Sequence, residues 1–131
     1  MALSPHSGIR ATRPVLVVDD VNATRQGLVE LLRLRGYATH EAKNGAEAIE
    51  VLRAHPDTCV VVLDLTMPET NGLWFRERQL MEPALAHVPV IVFTGSATAE
   101  ELRRLAVTDV LIKPFSVDEL FEAIERHSAA V

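Results

Sequence analysis

Residues 58–72 read Thr-Cys-Val-Val-Val-Leu-Asp-Leu-Thr-Met-Pro-Glu-Thr-Asn-Gly, an apolar run that stops at a carboxylate. The continuous Cys, Val and Leu segment is typical of a central parallel strand that is covered on both faces. Pro68 and Gly72 follow Asp64 as turn-forming residues. Ligands of open parallel sheets bind at the carboxyl ends of the strands, so Asp64 is a candidate site residue. An isolated Asp at a strand end more commonly caps the next turn, so the rest of the chain must decide between the two roles.

The composition limits the class of protein. A chain of 131 residues is the size of one domain, and 48% hydrophobic with 24% charged residues is ordinary for a globular protein. The formal charge of −5 and the lack of clustered Lys and Arg argue against direct nucleic-acid binding. The single Cys59 lies in an apolar run and indicates a reducing compartment. No apolar stretch reaches membrane-spanning length and no signal peptide is evident, so we expect a cytoplasmic protein without a membrane partner.

Five apolar segments alternate with five helical patterns. The predicted strands cover 15–18, 37–41, 59–63, 89–94 and 109–112. The predicted helices begin near Asn22, Asn44, Leu73, Thr98 and Ser116, where Asn44, Thr98 and Ser116 each stand three residues before a Glu in a capping-box spacing. This alternation predicts an α/β fold in which helices cover both faces of a parallel sheet. We expect residues 1–13 to be a flexible tail and 14–128 to be the single domain, with no output domain after it; a stand-alone protein is favoured over a fragment.

Polar side chains follow four of the predicted strands. Asp19 and Asp20 come after the first, Asp64 after the third, Thr94 after the fourth and Lys113 after the fifth. Because these ends share one edge of a parallel sheet, three carboxylates, a hydroxyl and an ammonium group should meet in one crevice. Neighbouring carboxylates resist joint ionisation, and Mg²⁺ relieves that repulsion while keeping positions for phosphate oxygens. Lys113 would supply a point charge for a phosphoryl group.

Several other chemistries lack their residues in this sequence. No Ser lies in a nucleophile elbow and no Gly-rich loop could hold a nucleotide. The histidines lack metal-ligand spacing and are interpreted as surface, helix-end or tail residues: His6, His40, His55, His87 and His127.

At these positions the sequence resembles the receiver domains of two-component response regulators, in the superfamily of the chemotaxis regulator. The matching residues are Asp19-Asp20, Asp64 with Met67-Pro68 and Gly72, Thr94, and Lys113-Pro114-Phe115. The match covers about residues 14–128. It implies a flavodoxin-like, doubly wound sheet of five parallel strands in the order 2-1-3-4-5.

The resemblance also implies a role for each site residue. Asp64 would be the phosphoacceptor, Lys113 would hold a phosphate oxygen, and Thr94 would bond to the phosphorylated Asp64. The implied Mg²⁺ ligands are Asp19 through water, Asp20, Asp64 and the backbone carbonyl of Thr66. The phosphodonor would be a sensor histidine kinase or a histidine phosphotransfer protein. The protein would be no enzyme beyond its own phosphorylation and dephosphorylation; a downstream protein target is not specified, and a homodimer formed on phosphorylation is left open.

Three positions depart from the family pattern. Val110 stands where an aromatic residue usually precedes the Lys by three positions, which puts the usual hydroxyl-to-aromatic coupling in doubt. Trp74 is either a core residue of a rotated third helix or an exposed contact residue, and Arg76 interrupts the apolar stripe.

The rival functions are a Mg²⁺-dependent phosphohydrolase of the haloacid-dehalogenase type and a flavodoxin. The phosphohydrolase requires an acid two residues after the nucleophile, where this chain has Thr66.

Overall fold

The computed structural model describes residues 13–65, 69–95 and 98–128 of the chain. The predicted tail, apart from Arg13, therefore lies outside the described residues. None of the described helices is both long enough and apolar enough to cross a membrane.

All five predicted strands are present and form one parallel sheet. They are β1 (Val15–Val18), β2 (Thr39–Ala42), β3 (Val60–Asp64), β4 (Val90–Thr94) and β5 (Asp109–Ile112). The strand order is β2-β1-β3-β4-β5, and every neighbouring pair is parallel. The doubly wound fold and its strand order are confirmed.

The described residues contain six helices, one more than the sequence predicted. They are α1 (Asn22–Leu34), α2 (Gly45–Ala54), α3 (Glu69–Met81), α4 (Pro83–Ala86), α5 (Ala99–Leu105) and α6 (Val117–Ser128). The additional helix, α4, is a single turn with Pro83 at its start, too short to show a helical period in the sequence. α3 begins four residues before the predicted start at Leu73.

Side-chain caps fix where several helices begin. Thr98 and Glu101 exchange both bonds of a capping box at α5, and Ser116 and Glu119 do the same at α6. At α2 the Asn44 side chain accepts from the Glu47 N–H at 2.8 Å. There the reciprocal bond is displaced by one residue, because the Glu47 carboxylate accepts from the N–H of residue 43 rather than from that of residue 44. These local bonds satisfy N–H groups that a helix start leaves without partners.

The sheet separates two apolar layers. Val60 and Val62 of β3 pack in a cluster with buried residues of α1 and α6, whereas Val61 and Leu63 pack against α2 and α3. Both faces of the strand are therefore covered, which explains why its sequence is continuously apolar. The apolar run ends at Asp64 because that residue reaches the edge where the crevice opens.

The structure settles the orientation of α3. Trp74 is 40% exposed, while the next residue, Phe75, is completely buried. Arg76 is also buried, although the sequence pattern favours an apolar residue there. Trp74 is therefore a surface residue, and the irregular stripe arises because polar side chains occupy part of the buried face.

The buried guanidinium group of Arg76 donates its described hydrogen bonds to neutral acceptors and not to a carboxylate. Nε and Nη2 donate to the carbonyls of Leu105 and Ala106 at 2.9 and 2.6 Å, at the C-terminal end of α5. Nη1 donates to the Gln79 side chain at 2.7 Å, and Gln79 in turn donates to the carbonyls of Leu85 and Val88. Arg76 thus satisfies carbonyls that the end of α5 leaves open and joins α3 to α5.

We expect Arg76→Met to destabilise the fold by about 2 to 4 kcal/mol, because three acceptors lose a charged donor in a buried place. Urea unfolding monitored by circular dichroism measures this loss. Arg78→Met is the matched control: Arg78 is exposed and lies 5.5 Å from the Trp74 ring centroid, so its loss should cost no more than about 0.5 kcal/mol. Equal losses in the two variants would contradict the assignment.

His40 of β2 and His55 at the end of α2 are stacked, with ring centroids 3.7 Å apart and planes inclined by 20°. Burial lowers the pKa of His40 below 6.5, and the charge of a protonated His55 lowers it further, while Asp57 opposes the shift. The sequence indicates surface or helix-end positions for the two histidines. Their contact could not be predicted, because the spacing between a strand residue and a helix-end residue does not show whether their side chains meet.

The lowered pKa of His40 predicts a loss of stability in mild acid. The folded state favours the neutral ring, so its contribution is complete above about pH 6.5 and is lost as the pH falls toward the folded-state pKa. We expect the wild-type free energy of unfolding to fall more between pH 7 and pH 5 than that of His40→Gln. His87→Gln, at an exposed position, should keep the wild-type dependence. Identical pH profiles for His40→Gln and the wild type would contradict the prediction.

Candidate functional site

The ends of four strands place the predicted site residues on one edge of the sheet. Asp19 and Asp20 follow β1, Asp64 and Thr94 close β3 and β4, and Lys113 follows β5. The sheet bonding continues through these ends: the Asp19 N–H donates to the carbonyl of residue 42 at 3.1 Å, and the Lys113 N–H donates to the Thr94 carbonyl at 2.7 Å. The backbones of Asp19, Asp64, Thr94 and Lys113 are therefore fixed by the hydrogen bonding of the sheet.

The structure brings the three carboxylates together. Each carboxylate contributes one oxygen to a group of three that lie within 4.8 Å of one another; the residues are Asp19, Asp20 and Asp64. Asp19 and Asp64 are buried, with 0% and 2% exposure, and Asp20 is exposed. Two buried acids and one exposed acid thus form a cluster that opens to solvent on the Asp20 side.

The Asp19 carboxyl group is harder to ionise in this cluster than it would be in water. Burial raises its pKa to about 6; the Val21 N–H, which donates to Oδ1 at 2.9 Å, opposes the shift, and the neighbouring Asp64 and Asp20 carboxylates add to it. Asp19 Oδ2 is buried and has no hydrogen-bond partner among the described residues. A buried carboxylate oxygen without a donor, beside two further carboxylates, fits a hard divalent cation that prefers oxygen ligands.

Lys113 supplies a positive charge beside the cluster. Its Nζ lies 3.4 Å from Asp64 Oδ1, and its side chain is 33% exposed. Nζ also lies 5.1 Å from the centroid of the Phe93 ring. The ammonium group is therefore close to the Asp64 carboxylate, while part of the Lys113 side chain remains open to solvent.

Thr94 is 1% exposed at the end of β4. Thr66, the predicted source of a backbone ligand, lies outside the described residues, as do Met67, Pro68 and Ser96. The structure thus brings Asp19, Asp20, Asp64, Thr94 and Lys113 to one edge and leaves the position of Thr66 undescribed.

Gly72 lies inside α3 and not in a turn, contrary to the sequence prediction. A Cβ at this position would lie 3.2 Å from Cδ1 of Leu65, the residue after Asp64. The glycine therefore allows the first turns of α3 to pack closely against the chain that leaves the strand. The sequence suggested a turn because Gly and Pro together are typical turn residues.

Arg25 is a residue of the site region that the sequence reading missed. Its Nη1 donates to the Asp19 carbonyl at 2.9 Å, and its Nε donates to Glu41 Oε1 at the same distance. A third bond reaches the Asn22 side chain. Arg25 thus ties the chain after β1 to both α1 and β2. The position of Arg25 in the predicted first helix did not indicate these hydrogen bonds, because the acceptors lie in separate segments of the chain.

The comparison with known proteins agrees with this geometry. The family model described as the response regulator receiver domain matches residues 15–125. The chain is 37% identical over 120 residues to the regulatory protein AtoC of Escherichia coli, covering 88% of this chain and 25% of that protein. It is 34% identical to the chemotaxis protein CheY1 of Helicobacter pylori, covering 85% of this chain and 93% of that protein.

Solved structures show the same architecture. The chemotaxis protein CheY4 of Vibrio cholerae superposes with a TM-score of 0.79 at 27% identity, covering 87% of this chain and 97% of that one. The chain thus spans only a quarter of AtoC but nearly all of the chemotaxis proteins it matches. These likenesses give no support to the phosphohydrolase alternative. The chain belongs to the response regulator receiver domain family, the phosphoaccepting signalling domains of two-component systems.

Proposed function

We propose that Asp64 is the residue that accepts the phosphoryl group and that Mg²⁺ is held beside it. The observation that carries this proposal is the cluster itself, three carboxylates with oxygens within 4.8 Å and the Lys113 ammonium 3.4 Å from Asp64. The proposed metal ligands are Asp20, Asp64, the backbone carbonyl of Thr66, and Asp19 through water. The receiver unit is proposed to span residues 14–128, in keeping with the family match over 15–125.

The proposed reaction is a direct displacement at phosphorus. An Asp64 carboxylate oxygen forms the new P–O bond while the P–N bond to a donor histidine breaks, and the imidazole leaves with the electron pair. Such transfer has a loose transition state, so positioning and neutralisation of charge do most of the work. Lys113 is proposed to hold a phosphoryl oxygen, and its contact with Asp64 supports this role. Mg²⁺, when bound, neutralises charge on the phosphoryl oxygens and on the carboxylates.

Thr94 is proposed to donate its hydroxyl to the phosphorylated Asp64. Reversal is proposed to occur by attack of water on the acyl phosphate, which releases phosphate and restores the carboxylate.

The phosphodonor is proposed to be a sensor histidine kinase or a histidine phosphotransfer protein. The chain is accordingly proposed to be cytoplasmic, like its donor. Its output would be a protein contact and not direct binding of nucleic acid or membrane; homodimerisation on phosphorylation remains a prediction.

The route of output is proposed to run through the segment after Thr94 and into α5. Val110 is half-buried and pairs with Val92 on β4, and an aliphatic side chain cannot make the large ring exchange of an aromatic residue. α5 has a capping box at Thr98 and receives two hydrogen bonds from Arg76 at its other end. A shift of the Thr94 segment would therefore act first on the capped N-terminal end of α5.

We expect Asp64→Asn to abolish labelling by acetyl phosphate in the presence of Mg²⁺, because an amide cannot act as the nucleophile. Phosphate-affinity electrophoresis or intact-mass spectrometry measures the incorporated group. Asp118→Asn, at an exposed position in the first turn of α6, should label like the wild type. Undiminished labelling of Asp64→Asn would remove Asp64 from the role.

We expect Asp19→Asn to raise the melting temperature of the metal-free protein, because a buried charge is removed from a repulsive cluster. The same change should reduce the further gain in melting temperature on adding MgCl₂, because one ligand group becomes neutral. A thermal-shift titration with MgCl₂ measures both effects. Asp57→Asn, at an exposed position outside the cluster, should leave both values unchanged. A gain from MgCl₂ equal to that of the wild type would contradict the metal assignment.

A further inference from the structure

We propose that the face of the Phe93 ring is a positioning element for Lys113, holding the ammonium group beside Asp64 before a phosphoryl group arrives. This inference deepens the proposed function and rests on it. It concerns a residue that has no polar atom in its side chain and that the sequence reading assigned only to a buried strand.

The Lys113 ammonium group lies close to two other groups. Lys113 Nζ is 3.4 Å from Asp64 Oδ1 and 5.1 Å from the Phe93 centroid. A cation within about 6 Å of an aromatic centroid is attracted by the negative face of the ring. One ammonium group therefore interacts with a carboxylate and with a ring at the same time.

The sheet fixes the ring relative to the acceptor. Phe93 is the register partner of Asp64 in the β3–β4 pair, so both side chains leave the sheet on the same face. Lys113 follows β5, whose Leu111 is the register partner of Phe93. Because side chains alternate along a strand, Lys113 also returns to that face. The contact of Lys113 with both partners is thus a consequence of strand register.

The ring itself is held in place. Phe93 is 1% exposed, and Phe115 packs against it edge-to-face, with centroids 6.0 Å apart and planes inclined by 72°. Phe115 also packs against the core cluster that contains Phe93. A ring restrained in this way presents a fixed surface to the ammonium group, unlike a solvent-exposed aromatic side chain.

A restrained ammonium group matters for the proposed transfer. Lysine has a flexible four-carbon stem, and ordering it at the moment of reaction costs conformational entropy. The ring removes part of that freedom in advance and excludes water from one side of the charge. Donors that are already in place stabilise developing charge without reorganisation during the reaction. Phe93 acts through Lys113 and does not touch the reacting atoms.

Replacing ring hydrogens with fluorine tests this role, because fluorine weakens the negative face of the ring while nearly preserving its shape. The experiment introduces 4-fluoro-, 3,5-difluoro- and 3,4,5-trifluorophenylalanine at position 93 and measures the rate of phosphorylation by acetyl phosphate with saturating MgCl₂. We expect the rate to fall stepwise, by about two- to fivefold in total. The melting temperature of each variant reports any loss of packing and should stay near that of the wild type.

Two controls separate ring electrostatics from packing. The same fluorinated residues at Phe75, which is completely buried on α3, should leave the rate unchanged. In a Lys113→Met background, fluorination at position 93 should no longer alter the residual rate, because the cation is gone. A flat series at position 93 in a protein that labels normally would overturn the role of Phe93 and leave the proposed function standing.

A second measurement does not depend on phosphorylation. The chain has two lysines, Lys43 and Lys113, so their side-chain proton resonances are readily assigned by nuclear magnetic resonance. The Lys113 ε-methylene protons should be shifted upfield by the ring current and return to the ordinary position in Phe93→Leu. Lys43, which is 63% exposed, should be unaffected. An unshifted Lys113 signal in the wild type would overturn the proposed contact, whereas a wild type that shows the shift but accepts no phosphoryl group would overturn the function on which the inference rests.

Discussion

Repulsion among three carboxylates is the constraint around which this molecule is arranged. Asp19 and Asp64 are withdrawn from water at the ends of neighbouring strands, and Asp20 adds a third charge beside them. The pKa of Asp19 is raised because burial and like charges both disfavour its ionised form. The apolar layers on the two faces of the sheet hold these ends together, and the backbone is fixed there because Asp64 pairs with β4 and the Asp19 N–H donates to the carbonyl of residue 42. The site is therefore prepared for positive charge by the fold itself.

The surrounding residues limit how the cluster can relax. Arg25 anchors the Asp19 carbonyl to α1 and β2, and Gly72 lets α3 approach the chain that follows Asp64. Lys113 offsets part of the negative charge through its contact with Asp64. Farther away, Arg76 satisfies the carbonyl groups at the end of α5 and so ties that helix to α3. Backbone carbonyls thus accept hydrogen bonds from both arginines: that of Asp19 from Arg25, and those of Leu105 and Ala106 from Arg76.

Most of the fold, and the placement of Asp19, Asp20, Asp64, Thr94 and Lys113 at one edge of the sheet, could be predicted from the sequence, because strand ends, caps and alternating elements are local patterns. The capping boxes at Thr98 and Ser116 are examples, since each is contained within four residues. The contacts of Arg25, Arg76 and Phe93 could not be predicted, because each joins segments that are distant in sequence and becomes specific only when strand register and helix rotation are known. The prediction that Gly72 is a turn residue was wrong for the same reason. A glycine is favoured there because the Leu65 side chain packs against the place where a Cβ would lie.

The most direct test of the central claim identifies which carboxylate carries the phosphoryl group. The wild-type protein is treated with acetyl phosphate and MgCl₂, reduced with borohydride, which converts an aspartyl phosphate to homoserine, and mapped by peptide mass spectrometry. Because Lys113 contacts Asp64, the proposed function predicts homoserine at position 64 and unmodified aspartate at Asp19 and Asp20. Homoserine at another carboxylate, with position 64 unmodified in protein that has incorporated phosphate, would contradict the account.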